Sequence, residues 1–190
     1  MSWLLACDNA ILDFIQQFRC SALDVFMPWY SSLGNHGRIW IFLAIAMLCF
    51  KKTRRCGAVM GLSLILCLLS GNLLLKPLVA RVRPYDANGF TGLLVKPLKD
   101  FSFPSGHTFA AFAAAASTLF YFRKSGLFVT AAACLMALSR LYLYVHYPSD
   151  ILGGIALGVA AAFLSHAILE KLFRRFDDTH RLSGPPKQTN

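Results

Sequence analysis

Charged residues are scarce in this chain, and acidic residues are the scarcest: 9 of its 190 residues are Asp or Glu, and all charged residues together make up 15%. Hydrophobic residues reach 56%, and the mean hydropathy is +0.54. So little charge excludes an ordinary soluble domain and is typical of a polytopic membrane protein. Because a membrane-spanning backbone must satisfy its own hydrogen bonds, we expect an all-α bundle.

The sequence also lacks the patterns that bind metals. Its six cysteines include no CxxC pair, and Cys49, Cys67 and Cys134 lie inside apolar runs. This predicts small apolar packing residues rather than a metal cluster or a disulfide framework. No acidic cluster is present to hold Mg²⁺. We therefore expect neither a metal nor another cofactor.

Basic residues outnumber acidic ones, with 19 Lys and Arg and a formal net charge of +10. They cluster at the ends of apolar runs and form no aromatic-basic face, so we expect a membrane and no nucleic acid as the partner. Near the N-terminus, Asp8 and Asp13 lie where a signal peptide would carry basic residues, which predicts that no cleavable signal peptide is present.

Five apolar runs predict transmembrane helices, at about 38–51, 57–75, 107–122, 127–144 and 150–170. Residues 1–36 predict an amphipathic helix, in the interface or packed on the bundle, and then a short, kinked or re-entrant segment. We expect one membrane domain over 1–190 with five to six transmembrane helices, its motifs within 57–170 and a frayed cytoplasmic tail over 172–190.

If successive spans cross the membrane in opposite directions, the polar residues between them fall on two sides. One side receives the basic segments 51–55, 123–124 and 171–175, which is the positive-inside signature of a cytoplasmic face. The other side receives the polar residues of three motifs, namely Lys76, Arg83, Ser105, Gly106, His107, Arg140, His146 and Asp150. We therefore expect a multi-pass protein of the plasma or inner membrane whose site faces the outside or the periplasm.

The densest of these motifs is SRLYLYVHYPSD, which ends at Asp150. His146 and Asp150 are four residues apart, a spacing that brings a carboxylate to an imidazole on a helix or in a tight turn. A carboxylate on one ring nitrogen fixes the tautomer and leaves the other nitrogen free to attack. Arg140 adds a planar cation suited to a phosphoryl group. Charge beside an apolar span is costly, which indicates a functional site.

A second motif lies between Lys76 and Arg83. These residues are seven apart, so a helical segment would place both on one face, whereas Arg81 is expected to contact solvent or a phosphate headgroup. The polar loop 85–103 that follows is expected to cross the site or to line lipid entry. Four apolar residues of the loop are expected to dip into the interface: Phe90, Leu93, Leu94 and Val95.

The third motif, Pro104-Ser105-Gly106-His107, opens the next apolar run. A turn that leads into a helix leaves unpaired backbone N–H groups at the positive end of the helix dipole, which favours an anion. Gly106 lets the backbone approach a ligand closely, and His107 is expected to lie beside the bound anion.

Together the three segments resemble the type-2 phosphatidic acid phosphatase superfamily, whose motifs are KxxxxxxRP, PSGH and SRxxxxxHxxxD. Here they read KPLVARVRP, PSGH and SRLYLYVHYPSD, in the same order and without departure at any motif position. The resemblance covers roughly residues 57–170. The chain looks most like the short bacterial undecaprenyl-diphosphatases or phosphatidylglycerophosphatases.

The resemblance implies a role for each motif residue. His146 would be the nucleophile that forms a phosphohistidine, Asp150 would orient it, and His107 would be the general acid. The phosphate oxygens would be held by Lys76, Arg83, Ser105, Gly106 and Arg140. No metal is needed in this scheme, because three cations already neutralise the phosphate.

The resemblance also implies a substrate class, a lipid phosphate or diphosphate. Undecaprenyl diphosphate is the expected substrate, and phosphatidylglycerophosphate or phosphatidate is the alternative. The motifs do not choose among these lipids, because the walls of the pocket contact the tail. A non-catalytic lipid-binding or transport protein on the same scaffold is the remote alternative.

Overall fold

A computed structural model describes residues 3–182, without the side chains of residues 176 and 179–182. The described part of the chain is helical and contains no β-strand, which confirms the predicted all-α class. The elements are α1 (Trp3–Gln16), α2 (Ser21–Leu33), a 3₁₀ turn (Asn35–Gly37), α3 (Arg38–Leu48), α4 (Arg54–Leu66), a π-helical segment (Cys67–Leu75), α5 (Lys76–Val79), α6 (Pro84–Ala87), α7 (Gly106–Leu119), α8 (Arg123–Tyr142) and α9 (Pro148–Leu182).

Three stretches are long and apolar enough to cross a membrane: Arg54–Ala87, Arg123–Tyr142 and Pro148–Arg175. A shorter apolar helix covers Asn35–Leu48. Helix α7 has 14 residues, a length of about 21 Å, which is shorter than the ~30 Å hydrocarbon core of a bilayer. The membrane helix bundle is therefore confirmed, while the number of five to six crossings stays a prediction.

Helix α7 lies at the centre of the bundle, where α3, α4, the π-helical segment, α8 and α9 all contact it. Almost every residue between Thr108 and Thr118 is buried, and most of them are alanines. Small side chains let five neighbours approach one helix closely, and burial on all sides explains why α7 lacks a polar face. The position of α7 fixes its N-terminal end, which carries the PSGH motif.

Helix α9 packs tightly against α7 through glycines. A Cβ atom at Gly158 would lie 2.6 Å from the carbonyl oxygen of Phe109, and one at Gly154 would lie 2.9 Å from that of Ser105. At Gly153 the obstruction would be the Phe103 ring, at 2.4 Å. The sequence predicts a small-residue face for close helix packing from Gly153, Gly154 and Gly158 in the last apolar run, and these contacts confirm it.

The two ends of the bundle differ in chemistry. At one end Arg55 pairs with Asp177 at 2.5 Å and stacks on the Phe173 ring, so the start of α4 meets the end of α9. Tyr121 donates to Glu170 at the same end. The basic segments that were predicted to share one side therefore lie together. Helix α9 continues through Leu182, so residues 172–182 of the predicted tail are helical, and residues 183–190 lie outside the described part. The cytoplasmic placement of the tail stays a prediction.

The N-terminal helices pack on the bundle, which confirms one of the two predicted placements. Helix α1 contacts α8 and α9, and α2 contacts α8. The apolar residues of the loop do not project into the interface as predicted. Instead they pack against a buried cluster that includes Leu12 and Tyr147, because α1 and the turn before α9 form a ready apolar surface there; the four are Phe90, Leu93, Leu94 and Val95.

Candidate active site

The three motifs meet at one cavity of about 970 Å³ at the end of the bundle opposite Arg55. Six of the eight predicted site residues line it: Lys76, Arg83, Gly106, His107, Arg140 and His146. The other two, Ser105 and Asp150, are fully buried beside the cavity and do not line it. Polar residues about 70 positions apart in sequence are thus brought to one place by the packing of α7 between α4, α8 and α9.

Lys76 and Arg83 reach the cavity by a different path from the predicted one. The helix ends at Val79, because Ala80 adopts a left-handed conformation with φ of 48°, and the chain then runs extended to Arg83. The expectation of one continuous helical face is therefore wrong. A π-helical segment precedes Lys76, and such segments are frequent at functional sites.

Arg83 is 2% exposed and is held on every side. Its Nε donates to the Asp100 carbonyl oxygen at 2.8 Å, its Nη1 to the Val145 carbonyl oxygen at 2.7 Å, and its Nη2 to the Phe101 carbonyl oxygen at 3.1 Å. A guanidinium fixed by three carbonyl groups is preorganised, so it needs no rearrangement to meet a phosphate.

Asp100 pairs with both cations of the motif that runs from Lys76 to Arg83. Its carboxylate contacts Lys76 Nζ through Oδ2 and lies 2.6 Å from Arg83 Nη2 through Oδ1. Partial burial opposes ionisation, but the two neighbouring cations outweigh it and lower the Asp100 pKa to about 2. The carboxylate is therefore ionised at neutral pH and lies where a phosphate anion is expected.

Arg140 is in the last turn of α8 and is 3% exposed. Its Nη1 donates to Ser31 Oγ of α2 at 2.5 Å, while its Nε is buried without a hydrogen-bond partner. Within the described residues no carboxylate pairs with it. A buried, unpaired charge that lines a cavity is costly, and a bound anion would satisfy it.

The PSGH motif forms the start of α7 as predicted. Ser105 is the N-cap residue with an extended backbone, and the helix begins at Gly106. The Ser105 hydroxyl bonds Thr108 Oγ1 at 3.0 Å rather than facing the cavity. His107 lines the cavity, and its Nε2 lies 3.1 Å from Asn35 Oδ1, which fixes the ring against the 3₁₀ turn.

His146 and Asp150 form the expected pair, with 3.6 Å between Nδ1 and Oδ2. Ser102 bridges them: its Oγ donates to Asp150 Oδ2 at 2.5 Å and lies 3.5 Å from His146 Nδ1. On the other side of the ring, Arg83 Nη1 lies 3.3 Å from Nε2. Because arginine only donates, Nε2 is the acceptor and the proton belongs on Nδ1, so the lone pair faces the cavity cations.

The pKa of His146 is well below its usual value. Burial is the largest cause, and the positive charges of Arg83, Arg140 and Lys76 act in the same direction, against a smaller opposing effect of Asp100. The imidazole is therefore neutral at neutral pH. A neutral ring with an available lone pair is the form that a nucleophile requires.

Arg81 contradicts its predicted role as a solvent or headgroup contact. Its Nη1 lies 2.6 Å from Asp150 Oδ1 and its Nη2 lies 2.7 Å from Asp8 Oδ2. The guanidinium also stacks on the Tyr147 ring, 3.9 Å from the centroid. The two carboxylates hold the Arg81 side chain between α1 and the start of α9.

Several residues near the site escaped the sequence reasoning: Asp8, Ser31, Asn35, Asp100 and Ser102. Asp8 could have been found from the sequence, since an ionisable residue in an apolar stretch indicates function. The serines and the asparagine could not, because such residues are common at turns and helix ends. Asp100 lies in a loop whose path the sequence does not specify, so its contact with the cations could not be predicted.

Comparison with known proteins agrees with this geometry. The sequence model of the PAP2 superfamily matches residues 56–174, which include all three motifs. The chain belongs to the PAP2 superfamily. This confirms the resemblance drawn from the motifs.

Among its PAP2 relatives, the undecaprenyl-diphosphatase of Sulfolobus acidocaldarius is 32% identical over 136 residues, which are 70% of this chain and 66% of that protein. The chain thus spans just under two thirds of that relative. The undecaprenyl-diphosphatase BcrC of Bacillus subtilis is 30% identical over 85% of this chain and 78% of its own. The crystal structure of a transmembrane PAP2-type phosphatidylglycerolphosphate phosphatase from Bacillus subtilis superposes with a TM-score of 0.72 at 28% identity, covering 90% of this chain and 88% of that one.

The PAP2 cavity continues from its cationic end into an apolar groove. The groove is lined by α3, α4 and the π-helical segment, through Ile41, Ala44, Ile45, Leu48, Leu64, Ile65 and Leu68. Several of these side chains are about half exposed, so the groove is open toward the bilayer side of the bundle. At its far end α3 and α4 close on each other, since a Cβ at Gly57 would lie 2.8 Å from the Ala44 carbonyl oxygen.

Proposed function

We propose that this PAP2 protein hydrolyses a lipid phosphate or diphosphate through a phosphohistidine on His146, and that undecaprenyl diphosphate is its substrate. One observation carries the proposal: a single cavity joins an unpaired buried cation, Arg140, and a neutral buried histidine to an apolar groove. A phosphate at one end and an isoprenoid or acyl chain at the other would satisfy both parts. An apolar pocket with few converging polar groups is the usual form of a ligand site.

In the first step His146 Nε2 attacks phosphorus. The N–P bond forms while the bond from phosphorus to the leaving oxygen breaks, and His107 gives that oxygen a proton. The ring becomes cationic, and the Asp150 carboxylate beyond Nδ1 stabilises this charge. The cations Lys76, Arg83 and Arg140 hold the phosphoryl oxygens while the negative charge on them is redistributed.

In the second step water attacks the phosphohistidine. His107, now unprotonated, takes a proton from the water, the P–N bond breaks, and its electron pair returns to Nε2 of His146. Inorganic phosphate leaves, and the enzyme regains its starting protonation. The scheme uses no metal. Within the described residues no three His, Cys, Asp or Glu side chains come together.

A polyprenyl diphosphate fits the cavity better than a diacyl lipid. The groove narrows at its far end, where α3 and α4 close on each other, which favours one chain over two. Lys99 and His36 also line the cavity, beyond the three cations that would hold the reacting phosphate, and give a second phosphate polar partners. The curated relatives named as undecaprenyl-diphosphatases support this choice. Phosphatidylglycerophosphate, the substrate named for the superposed Bacillus subtilis structure, is the second candidate.

The site is proposed to face outside or the periplasm, because the opposite end carries the basic segments. Two native cysteines test this orientation. Cys20 is exposed near Tyr142 at the site end, and Cys49 is exposed at the end of α3 next to the basic segment. A membrane-impermeant maleimide added to intact cells should label a Cys20-only variant and spare a Cys49-only variant. The reverse pattern would place the site in the cytoplasm.

The test of the activity is phosphate release by detergent-purified protein in the presence of EDTA. Undecaprenyl diphosphate, phosphatidylglycerophosphate and phosphatidate are compared, with His146→Ala as the inactive variant. His166→Gln is the matched control, because His166 stacks on Phe120 at the other end of the bundle. Turnover that vanishes only in His146→Ala is expected, with the diphosphate turned over fastest. Equal turnover by His146→Ala would overturn the histidine mechanism, and loss of activity in EDTA would overturn its metal independence.

A further inference from the structure

We propose that Asp8 is a positioning residue that acts through Arg81 on the Asp150–His146 pair, so that helix α1 completes the active site. Residue 8 lies outside the part of the chain that matches the PAP2 superfamily. The proposal therefore assigns a function to a segment that the family motifs leave without one. It rests on the proposed phosphohistidine chemistry, and the experiments below separate the two.

Asp8 is built into the structure as a buried anion. It is 2% exposed, although α1 packs on the outside of the bundle. Its Oδ1 accepts from the Ser149 backbone N–H at 2.9 Å, and its Oδ2 accepts from Ser149 Oγ at 2.5 Å and from Arg81 Nη2 at 2.7 Å. Every one of these partners is within one residue of Asp150 or directly bound to it.

Arg81 links the two carboxylates. One guanidinium nitrogen contacts Asp8, and the other contacts Asp150 Oδ1 at 2.6 Å and Ser149 Oγ at 2.7 Å. Stacking on the Tyr147 ring fixes the plane of the guanidinium. Asp150 thus uses Oδ1 for Arg81 and keeps Oδ2 for the side that faces His146.

The charge balance explains why Asp8 is needed. One cation shared between two carboxylates leaves Asp150 with net negative charge toward His146. Without Asp8, both nitrogens of Arg81 are free to turn to Asp150, which would compensate its charge and draw it from the imidazole. The cationic ring formed during phosphoryl transfer would then be less stable, and catalysis would slow without loss of substrate binding.

The His146 ring is surrounded by other charges, which the test must leave in place. Those that face it are Lys76, Arg83, Asp100, Arg140 and Asp150, and the titratable His107 across the cavity also interacts with it. None of them contacts Asp8. Apart from the through-space effect of its charge, a change at residue 8 therefore reaches the ring through Arg81, Ser149 or the placement of Asp150.

The primary experiment measures kcat, KM and the pH profile of Asp8→Asn with a polyprenyl diphosphate. We expect kcat to fall about tenfold, as removal of outer partners that orient a catalytic side chain commonly does, while KM changes less than twofold. The acid limb of kcat/KM should move to lower pH. Asp13→Asn is the matched control, because Asp13 is also an α1 acid, bonded to the Tyr144 hydroxyl at 3.2 Å, and has no described contact with Arg81.

A double-mutant cycle separates positioning from folding. If Asp8 acts through Arg81, Asp8→Asn should cost little further kcat in an Arg81→Gln background. An unchanged kcat in Asp8→Asn, or the same loss in both backgrounds, overturns the proposal. If Asp8→Asn does not fold, Ser149→Ala weakens the same link without removing a charge and should lower kcat in the same direction by a smaller factor.

A measurement that needs no turnover keeps this inference distinct from the proposed function. The His146 ring is titrated by NMR in histidine-labelled protein, with assignment by His146→Gln. Asp8→Asn should lower the His146 pKa, and Asp13→Asn should not. Inactive wild-type protein that still shows this difference would overturn the phosphatase proposal alone. Active wild-type protein whose His146 titration is the same in both variants would overturn the role of Asp8 alone.

Discussion

Asp100 Oδ1 lies 2.6 Å from Arg83 Nη2, and the other oxygen of the same carboxylate contacts Lys76. An internal carboxylate therefore occupies two of the three cations that would bind the substrate phosphate. A lipid phosphate that enters the cavity must displace this side chain, which is about half exposed and is carried by a loop. The contact keeps buried cations paired while the site is empty, and it competes with the ligand.

Replacement of Asp100 by asparagine should therefore strengthen anion binding. Removing one competing charge pair is worth on the order of 1 kcal/mol, or about fivefold. We expect Asp100→Asn to lower the inhibition constant of inorganic phosphate and the KM of the lipid by about that factor. Asp86→Asn, at an exposed acid of the nearby α6, serves as control. Weaker phosphate inhibition in Asp100→Asn would show that Asp100 supports Arg83 rather than competing with the substrate.

The pH dependence should report the neutral His146. Its pKa lies well below 6.5, so the reactive neutral ring is present above that pKa and is lost as pH falls through it. We expect kcat/KM to decline in acid as His146 becomes protonated, and to decline again at higher pH as His107 loses the proton that it gives to the leaving oxygen. Because the Asp100 charge raises the His146 pKa, Asp100→Asn should move the acid decline to still lower pH. An acid decline centred above 6.5 in the wild-type protein would contradict a neutral nucleophile.

Ser31 should matter for catalysis although it lies outside the motifs. Its hydroxyl accepts from Arg140 Nη1 at 2.5 Å and orients a guanidinium whose Nε lacks a partner. Losing one such hydrogen bond to a charged group costs about 1.5–3 kcal/mol, so Ser31→Ala should lower kcat/KM by on the order of tenfold or more. The adjacent Ser32→Ala is the control, since Ser32 bonds only the Trp29 carbonyl oxygen through its hydroxyl. Equal kinetics for the two variants would show that Arg140 is held without Ser31.

The motif residues were predictable because each motif brings together, within a short stretch of sequence, the residue types that its chemistry needs. The spacing of His146 and Asp150 gave their pairing, and the PSGH segment gave the start of a helix. The glycine face of α9 also followed from sequence, because close helix packing needs small residues at fixed intervals. Such features depend on neighbours within one or two helical turns.

The predictions that were wrong concern features that depend on distant residues or on a single backbone angle. Arg81 was assigned to solvent because its partner Asp8 is 73 positions away, and nothing local indicates that α1 folds onto α9. The shared helical face of Lys76 and Arg83 failed because Ala80 adopts a left-handed conformation, which is uncommon for a non-glycine residue. In both cases tertiary contacts override the local preference.

The contact between α7 and α9 should control stability. A Cβ at Gly158 would lie 2.6 Å from the Phe109 carbonyl oxygen and 3.0 Å from the Ala113 nitrogen, and backbone atoms cannot turn aside. We expect Gly158→Ala to lower the free energy of unfolding by about 1–3 kcal/mol, the usual cost of overpacking, seen as a lower Tm in detergent. Gly61→Ala, with no atom within 4 Å of its Cβ, should be neutral or stabilising. Equal Tm values would mean that the two helices separate easily.

The apolar groove should select for the length of the lipid chain. Gly61 lines it on α4, 15 residues before Lys76, which is roughly 20 Å along the helix axis. A leucine at this open position would fill the groove without touching the phosphate site. We expect Gly61→Leu to lower the turnover of a long polyprenyl diphosphate several-fold relative to a short-chain analogue that does not reach residue 61. Ala156→Leu adds the same side chain at an exposed position of α9 outside the cavity and should leave the ratio unchanged. If the long and short substrates respond alike to Gly61→Leu, the chain of the lipid does not occupy this groove.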